Sequence, residues 1–220
     1  MRALFFDVFG TCVDWRTSVR RELRARGLPE EIADDWRGLY QPQLETVRRG
    51  ERDWVDLDVL HREALDRLLV ERELSVGDPD ELTRAWHRLD AWPDVVPGLT
   101  ALKARCIVAP CSNGHIAQSV NLAKHAALPW DAILGAEIAR AYKPQPEVYL
   151  RSAAALALAP SEVTMVAAHN GDLAAARALG FGTAFVPRPT EHGPGQASDL
   201  EPAGDWDVVA RDFRELAATF

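Results

Sequence analysis

The sequence predicts an α/β fold: a doubly wound parallel sheet with a Rossmann-like core and an inserted α-helical cap. Two observations carry this. Apolar runs recur along the chain and end in polar turn residues, with helical stretches between them. A long charged segment of helical spacing then interrupts the alternation after the first run.

Taken in order, Ala3 to Phe9 is apolar except for Asp7 and reads as a buried parallel strand ending at the turn pair Gly10-Thr11. Residues 15–92 are dense in Arg, Glu, Asp, Leu and Trp. There Val19-Leu23, Leu57-His61-Leu65-Leu68 and Leu82-Trp86-Leu89 follow a 3.6-residue period without a clear strand. Pro93 and Pro97-Gly98 mark the return to the sheet. The expected organisation is therefore a core from residues 1–14 and 93–220, with residues 15–92 as a cap. Within the core, Cys106 to Cys111 reads as a strand ending in Ser112-Asn113-Gly114, and Val163 to Ala168 as one ending in His169-Asn170-Gly171-Asp172. Ala132–Ala136, Thr183–Val186 and 206–209 are shorter strand candidates. Helices are expected over about 115–127, 146–158 and 172–179, the last stopped by Gly180. The proline- and glycine-rich segment 187–204 reads as a surface loop.

Composition narrows the function. With 25 Lys and Arg against 33 Asp and Glu, the chain carries a net charge of −8, which disfavours a nucleic-acid partner. Three cysteines (Cys12, Cys106, Cys111) are too few for a disulfide scaffold, and none has zinc-ligand spacing to a partner. The apolar start is broken by Asp7, too early for a signal peptide, and no run is long enough to span a membrane. A cytoplasmic protein without membrane contact is expected.

Asp7 is the central candidate. A carboxylate at the end of a buried strand is costly unless it is partnered or has work to do. Alone, it reads as a turn-stabilising acid. Three other strand ends also carry polar or ionisable groups, at Ser112-Asn113, Lys143 and Asp172. In an open α/β sheet those ends face one crevice, and four such groups in one crevice point to a site.

These motifs resemble the haloacid dehalogenase superfamily, and the resemblance covers nearly the whole chain. The first motif is Phe6-Asp7-Val8-Phe9-Gly10-Thr11, with Asp7 as nucleophile. The second is Cys111-Ser112-Asn113-Gly114, the third Tyr142-Lys143-Pro144 with Tyr149 beyond it, and the fourth is represented by Asp172. Phosphatases of the superfamily carry a second Asp two residues after the nucleophile, to protonate an alkoxide leaving group. Phe9 stands there instead and can donate no proton, whereas a halide needs none. The resemblance is therefore to the L-2-haloacid dehalogenase (type II) branch, which has an aromatic residue at that position and Asn after the second-motif Ser.

The resemblance implies attack by Asp7 on the halogen-bearing carbon, inversion, and hydrolysis of the aspartyl ester by water. Lys143 would keep Asp7 ionised. Ser112 and backbone amides near Thr11 would hold the substrate carboxylate, Asn113 would donate to the halide, and Arg37 matches the family's lid arginine. Trp54 is a candidate wall for the halogen pocket. The fourth motif departs from the family pattern, with Ala167 where Ser is expected, His169 where Asn is, and Gly171 where an aromatic is. His169 is expected to bind or deprotonate the hydrolytic water, and Asp172 to position it or pair with Lys143. His61, His87 and His125 carry no signal, and His115 reads as a helix N-terminal residue. The expected substrates are small anionic (S)-2-haloacids, converted to (R)-2-hydroxy acids, with fluoroacetate in range. No metal or cofactor is expected, and a homodimer is. The alternatives are the same Asp chemistry on a strained ring or other activated carbon, then a phosphatase, then a non-catalytic binding domain.

Overall fold

The computed structural model describes residues 2–220. At its centre is a six-stranded sheet with every paired neighbour parallel, in the order β5-β4-β1-β6-β7-β8. Its strands are β1 (Ala3–Phe6), β4 (Ile107–Ser112), β5 (Leu134–Gly135), β6 (Val163–Ala167), β7 (Gly182–Phe185) and β8 (Val208–Val209). β1 is central, with Phe6 registered against Pro110 on one side and Val166 on the other. A strand buried on both faces must be apolar at every position, and all four β1 residues are fully buried.

Alternate residues of β1 feed two separate cores. Leu4 and Phe6 join Leu99 and Leu102 of α5 (Val95–Lys103), Leu122 of α6 (Ile116–Ala126), and Phe213 and Leu216 of α10 (Phe213–Thr219). Ala3 and Phe5 join Val148 and Tyr149 of α8 (Pro146–Ala155) with Leu173 and Ala176 of α9 (Asn170–Ala178). Helices thus cover both faces, as the doubly wound pattern requires. A one-turn helix, α7 (Ala136–Ala139), follows β5.

Between the first strand and α5 the chain builds the predicted helical insertion: α1 (Trp15–Arg24), α2 (Ile32–Arg48), α3 (Leu57–Glu71), α4 (Pro79–Thr83) and a 3-10 turn at Arg84–His87. α1, α3 and α4 each begin at an aspartate whose carboxylate accepts a backbone N–H: Asp14 from Thr17, Asp56 from Val59 and Asp78 from Glu81. Each such cap stabilises its helix by about 1 kcal/mol. The Leu82-Trp86-Leu89 pattern is split between α4, the 3-10 turn and the segment just beyond it. The insertion also contains the strand pairing that periodicity cannot show. β2 (Val13–Asp14) pairs antiparallel with β3 (Asp90–Ala91), tying the outgoing and returning chain together. No helix among the described residues is long and apolar enough to cross a membrane.

Candidate active site

Asp7 lies one residue past β1, at the carboxyl edge of the sheet where β4 and β6 diverge around the central strand. Its N–H still donates to Val166 O at 3.0 Å, so the ladder fixes the backbone while the side chain leaves the sheet. A tight turn follows. Cys12 and Val13 N–H both donate to Val8 O, and Gly10 adopts φ +89°, a left-handed conformation that favours glycine. A Cβ on Gly10 would also stand 2.1 Å from Glu191 Oε1. Glycine is required there twice over.

The Asp7 carboxylate is held at both oxygens. Lys143 Nζ donates to Oδ1 at 2.8 Å, Thr11 Oγ1 donates to Oδ2 at 2.7 Å, and His169 Nδ1 lies 3.1 Å from Oδ2. Burial opposes ionisation, but the Lys143 charge and the His169 contact outweigh it and hold this carboxyl well below its usual range. Lys143 also donates to Asp172 Oδ2 at 2.6 Å, and Tyr149 Oη donates to Asp172 Oδ1 at 2.5 Å. Burial and the neighbouring Asp7 charge push the Asp172 carboxyl up against the pull of Lys143. Burial also works against the Lys143 ammonium, yet the two carboxylates raise its pKa well above normal. Of the two acids that share this ammonium, Asp7 is the one held as the anion.

His169 bridges two acids. Its Nε2 lies 2.9 Å from Glu191 Oε2, while Nδ1 faces Asp7. Burial disfavours the imidazolium, but its hydrogen bonds to both carboxylates raise its pKa well above normal. Glu191 is itself buried. Trp15 Nε1 donates to its Oε1 at 3.0 Å, and Arg37 adds to the positive field that lowers its pKa despite burial.

A cleft of about 770 Å³ opens over these groups. Asp7, Phe9, Asn113, Lys143, His169, Gly171 and Asp172 line it from the sheet side, and Trp15, Arg37 and Tyr40 from the helical insertion. The Arg37 guanidinium lies 4.2 Å from the Tyr40 ring centroid and 5.4 Å from that of Trp15. Its Nη1 is buried without a hydrogen-bond partner, and no carboxylate pairs with it among the described residues. Asn113 joins the two layers, its Nδ2 donating to Tyr40 Oη at 2.9 Å and its Oδ1 accepting from Lys143 N at 2.8 Å. The N–H groups of Phe9 and Thr11, beside Asp7, find no acceptor among the described residues.

Most of the residues singled out in the sequence converge here, with four corrections. Trp54 does not line the cleft; it stacks toward Tyr142 at 6.2 Å, under the Arg140 guanidinium. Thr11 stands behind Asp7 rather than in the cleft, donating to the carboxylate and accepting from Ala168 N at 2.9 Å. The Ser112 hydroxyl is fully buried and accepts from Gly114 N at 3.3 Å, so it shapes the second-motif turn. Segment 187–204 is not merely a surface loop, because its residues Arg188 and Glu191 are buried. Arg188 donates to Thr11 O at 2.9 Å and forms a two-pronged ion pair with Asp94, which delivers Glu191 to His169. Glu191 is the site residue that sequence reasoning missed. Its only signal is an acid beside a histidine in a loop, and that pattern is common on any surface.

Comparison with known proteins agrees with this geometry. A family model described as haloacid dehalogenase-like hydrolase matches residues 1–180. The (S)-2-haloacid dehalogenase 4A of Burkholderia cepacia is 31% identical over 235 residues, covering 99% of this chain and 98% of that protein. A crystal structure of a defluorinating L-2-haloacid dehalogenase superposes with a TM-score of 0.96 at 49% identity, covering 100% of this chain and 94% of the other. An L-2-haloacid dehalogenase from Xanthobacter autotrophicus, solved with chloropropionic acid covalently bound, gives a TM-score of 0.83 at 25% identity, with 99% and 97% covered.

Proposed function

The chain belongs to the haloacid dehalogenase-like hydrolases, and on that basis we propose that it hydrolyses small (S)-2-haloacids to (R)-2-hydroxy acids through an ester on Asp7. The observation that carries this reading is a buried, ionised carboxylate at a strand end with Phe9, not an acid, two residues on. A nucleophile is present, and a leaving group that requires protonation has no donor in the usual place.

In the first step an Asp7 carboxylate oxygen attacks C2 of the haloacid on the side opposite the halogen. The new C–O bond forms as the carbon–halogen bond breaks, and the halide departs with the bonding pair. Arg37, free of carboxylate partners, and the Asn113 amide receive the halide, while the Phe9 N–H, at the cleft lining, holds the substrate carboxylate. In the second step water attacks the Asp7 ester carbon and gives a proton to His169. As the adduct collapses, the ester C–O bond breaks and His169 returns that proton to the departing hydroxy-acid oxygen. The second proton of water passes to solvent, and the Asp7 carboxylate is restored.

The geometry also times the base. Before attack, His169 lies between two carboxylates and is held protonated. Forming the ester removes the Asp7 charge, so His169 loses one of the two interactions that raise its pKa. The imidazole thus becomes a competent base only when there is an ester to hydrolyse, and Glu191 keeps it oriented. The Lys143 ammonium occupies the space between Asp7 and Asp172 where a divalent cation would sit, so the reaction is expected to proceed in EDTA. The defluorinating relative supports including fluoroacetate among the substrates.

The test is halide release from L-2-chloropropionate and fluoroacetate in EDTA, followed by single turnover in 18O-labelled water. The expected result is chloride and fluoride release, with the first 18O in the Asp7 carboxylate and not in the product. Label entering the product directly in the first turnover would replace the ester with direct attack by water. Phosphate ester cleavage without halide release would overturn the proposal altogether.

A further inference from the structure

Away from the cleft, three side chains with metal-binding atoms meet at the seam between the helical insertion and the sheet layer. Asp58 lies in the first turn of α3, His87 ends the 3-10 turn, and His115 stands just before α6. One ligand atom from each lies within 4.8 Å of the other two. We propose that Asp58, His87 and His115 form a binding site for a divalent transition-metal ion of the zinc class, which clamps the helical insertion to the sheet layer.

The distances suit ligands better than a finished hydrogen-bond network. His87 Nε2 is 2.9 Å from both Asp58 oxygens, an ordinary hydrogen bond. His115 Nε2 is 3.5 Å from Asp58 Oδ2, beyond a normal N–H···O bond. Two ligands bound at about 2.0–2.1 Å in a tetrahedral site stand roughly 3.3–3.5 Å apart, which matches that separation. His115 is more than nine-tenths buried, and its Nδ1 has no partner at all. A buried imidazole with neither nitrogen in a good hydrogen bond is costly unless another ligand completes it.

The surroundings fit the same ion. Two imidazoles and one carboxylate are a borderline donor set that suits zinc, and one coordination position remains for water. Asp58 is about one-third exposed, at 32% of its side chain, which leaves an approach from solvent. Behind the cluster, Asn121 of α6 meets His87 Nδ1 at 3.0 Å. With the ion on Nε2, the His87 proton moves to Nδ1, and a half-turn of the Asn121 amide presents its oxygen to accept it. That is the usual support behind a metal-bound histidine. His61, one turn along α3 from Asp58, is buried and neutral, its pKa pushed down to about 3 by burial, and it stacks on Trp86 at 4.4 Å. It adds no competing charge. The sequence offered no sign of this site because its ligands are spread over 58 positions and share no short motif.

The experiment is zinc titration of the full-length protein after EDTA treatment and desalting. It would be read by competition with a chelating indicator, with cobalt as a spectroscopic substitute and no haloacid present. One zinc per chain is expected, with the strong visible absorption of four-coordinate cobalt and a Tm that rises with zinc. His115→Ala and Asp58→Asn should each weaken binding at least tenfold, while His125→Ala, on a separate Asp90 contact, should leave it unchanged. Circular dichroism checks that each variant is folded. No zinc binding by the folded wild type, or binding unaltered in both ligand variants, overturns the proposal. Because the readout is the metal and not halide release, this outcome is independent of the chemistry at Asp7.

Discussion

The two oxygens of Asp7 face different worlds. On the Oδ1 side, Lys143, Asp172 and Tyr149 form a buried, fixed array whose backbone comes from the α7–α8 connection and the first turns of α8 and α9. On the Oδ2 side, His169 remains partly exposed and is held by Glu191 from a long loop, which Arg188 and Asp94 anchor. In the proposed reaction the first side fixes a charge and the second exchanges a proton. A nucleophile must stay ionised in every cycle, so rigidity and a permanent cation suit it. A base must gain and lose a proton, which calls for a solvent path and a partner whose charge changes during the reaction.

Substitutions on the two sides should therefore fail differently. Asp7→Asn removes the nucleophile common to both, and halide release should fall by at least about 10⁴-fold. Any remaining rate near wild type would mean that neither side serves an ester. Lys143→Met strips the fixed side. With only the His169 and Thr11 contacts left against burial, the Asp7 carboxyl rises from its depressed value, and the anion is lost as pH falls through the new pKa. Activity at neutral pH should drop roughly 10²–10³-fold and recover toward alkaline pH, while two uncompensated buried acids should destabilise the fold by about 3–5 kcal/mol. A pH–rate profile with a Tm series tests both.

Glu191→Gln touches only the exchanging side. It removes one of the two carboxylates that raise the His169 pKa. The imidazole of the ester form should then lose its proton at lower pH, so the acid limb of kcat should move to lower pH while the plateau falls about 10–100-fold. Ester should accumulate, visible as a mass increase on intact protein after rapid quench, and its absence would make halide displacement rate-limiting instead. The smallest effect on chemistry is expected for Arg188→Met, which releases the loop without touching the dyad. Activity should decline about tenfold or less, but unpairing half-buried Asp94 should cost about 1–3 kcal/mol in urea unfolding.

The fixed side was the legible one. Asp7 sits just past β1 and Asp172 in the first turn of the helix after β6, and parallel-sheet topology gathers such ends into one crevice. Lys143, expected just after a strand, instead follows the one-turn helix α7, and its Lys-Pro pair is what marked it. The extent of β1 was less clear: Phe6 is its last residue, yet the apolar run continues to Phe9, because Val8 and Phe9 are buried in the turn and under the helical insertion. The β2–β3 ribbon was invisible because two-residue strands have no period. Glu191 was invisible for a related reason. A loop residue reaches a site through tertiary contacts such as Arg188 with Asp94, which leave no local spacing in the chain. Trp54 shows the converse error, since an aromatic in a helical insertion is more often a packing residue than a pocket wall.

Trp15 lends the molecule a property of another kind. Its indole donates to Glu191, stacks near Trp86 at 6.1 Å and 22°, and lies beside the Arg37 guanidinium. Indole emission responds to nearby charge and to the strength of the N–H bond. In the proposed reaction, esterifying Asp7 shifts the proton of the His169–Glu191 pair, and this indole, bonded to Glu191, lies where that change would alter its emission. If the chemistry runs through an Asp7 ester, rapid mixing should therefore show two fluorescence phases without a label, one for each proposed half-reaction.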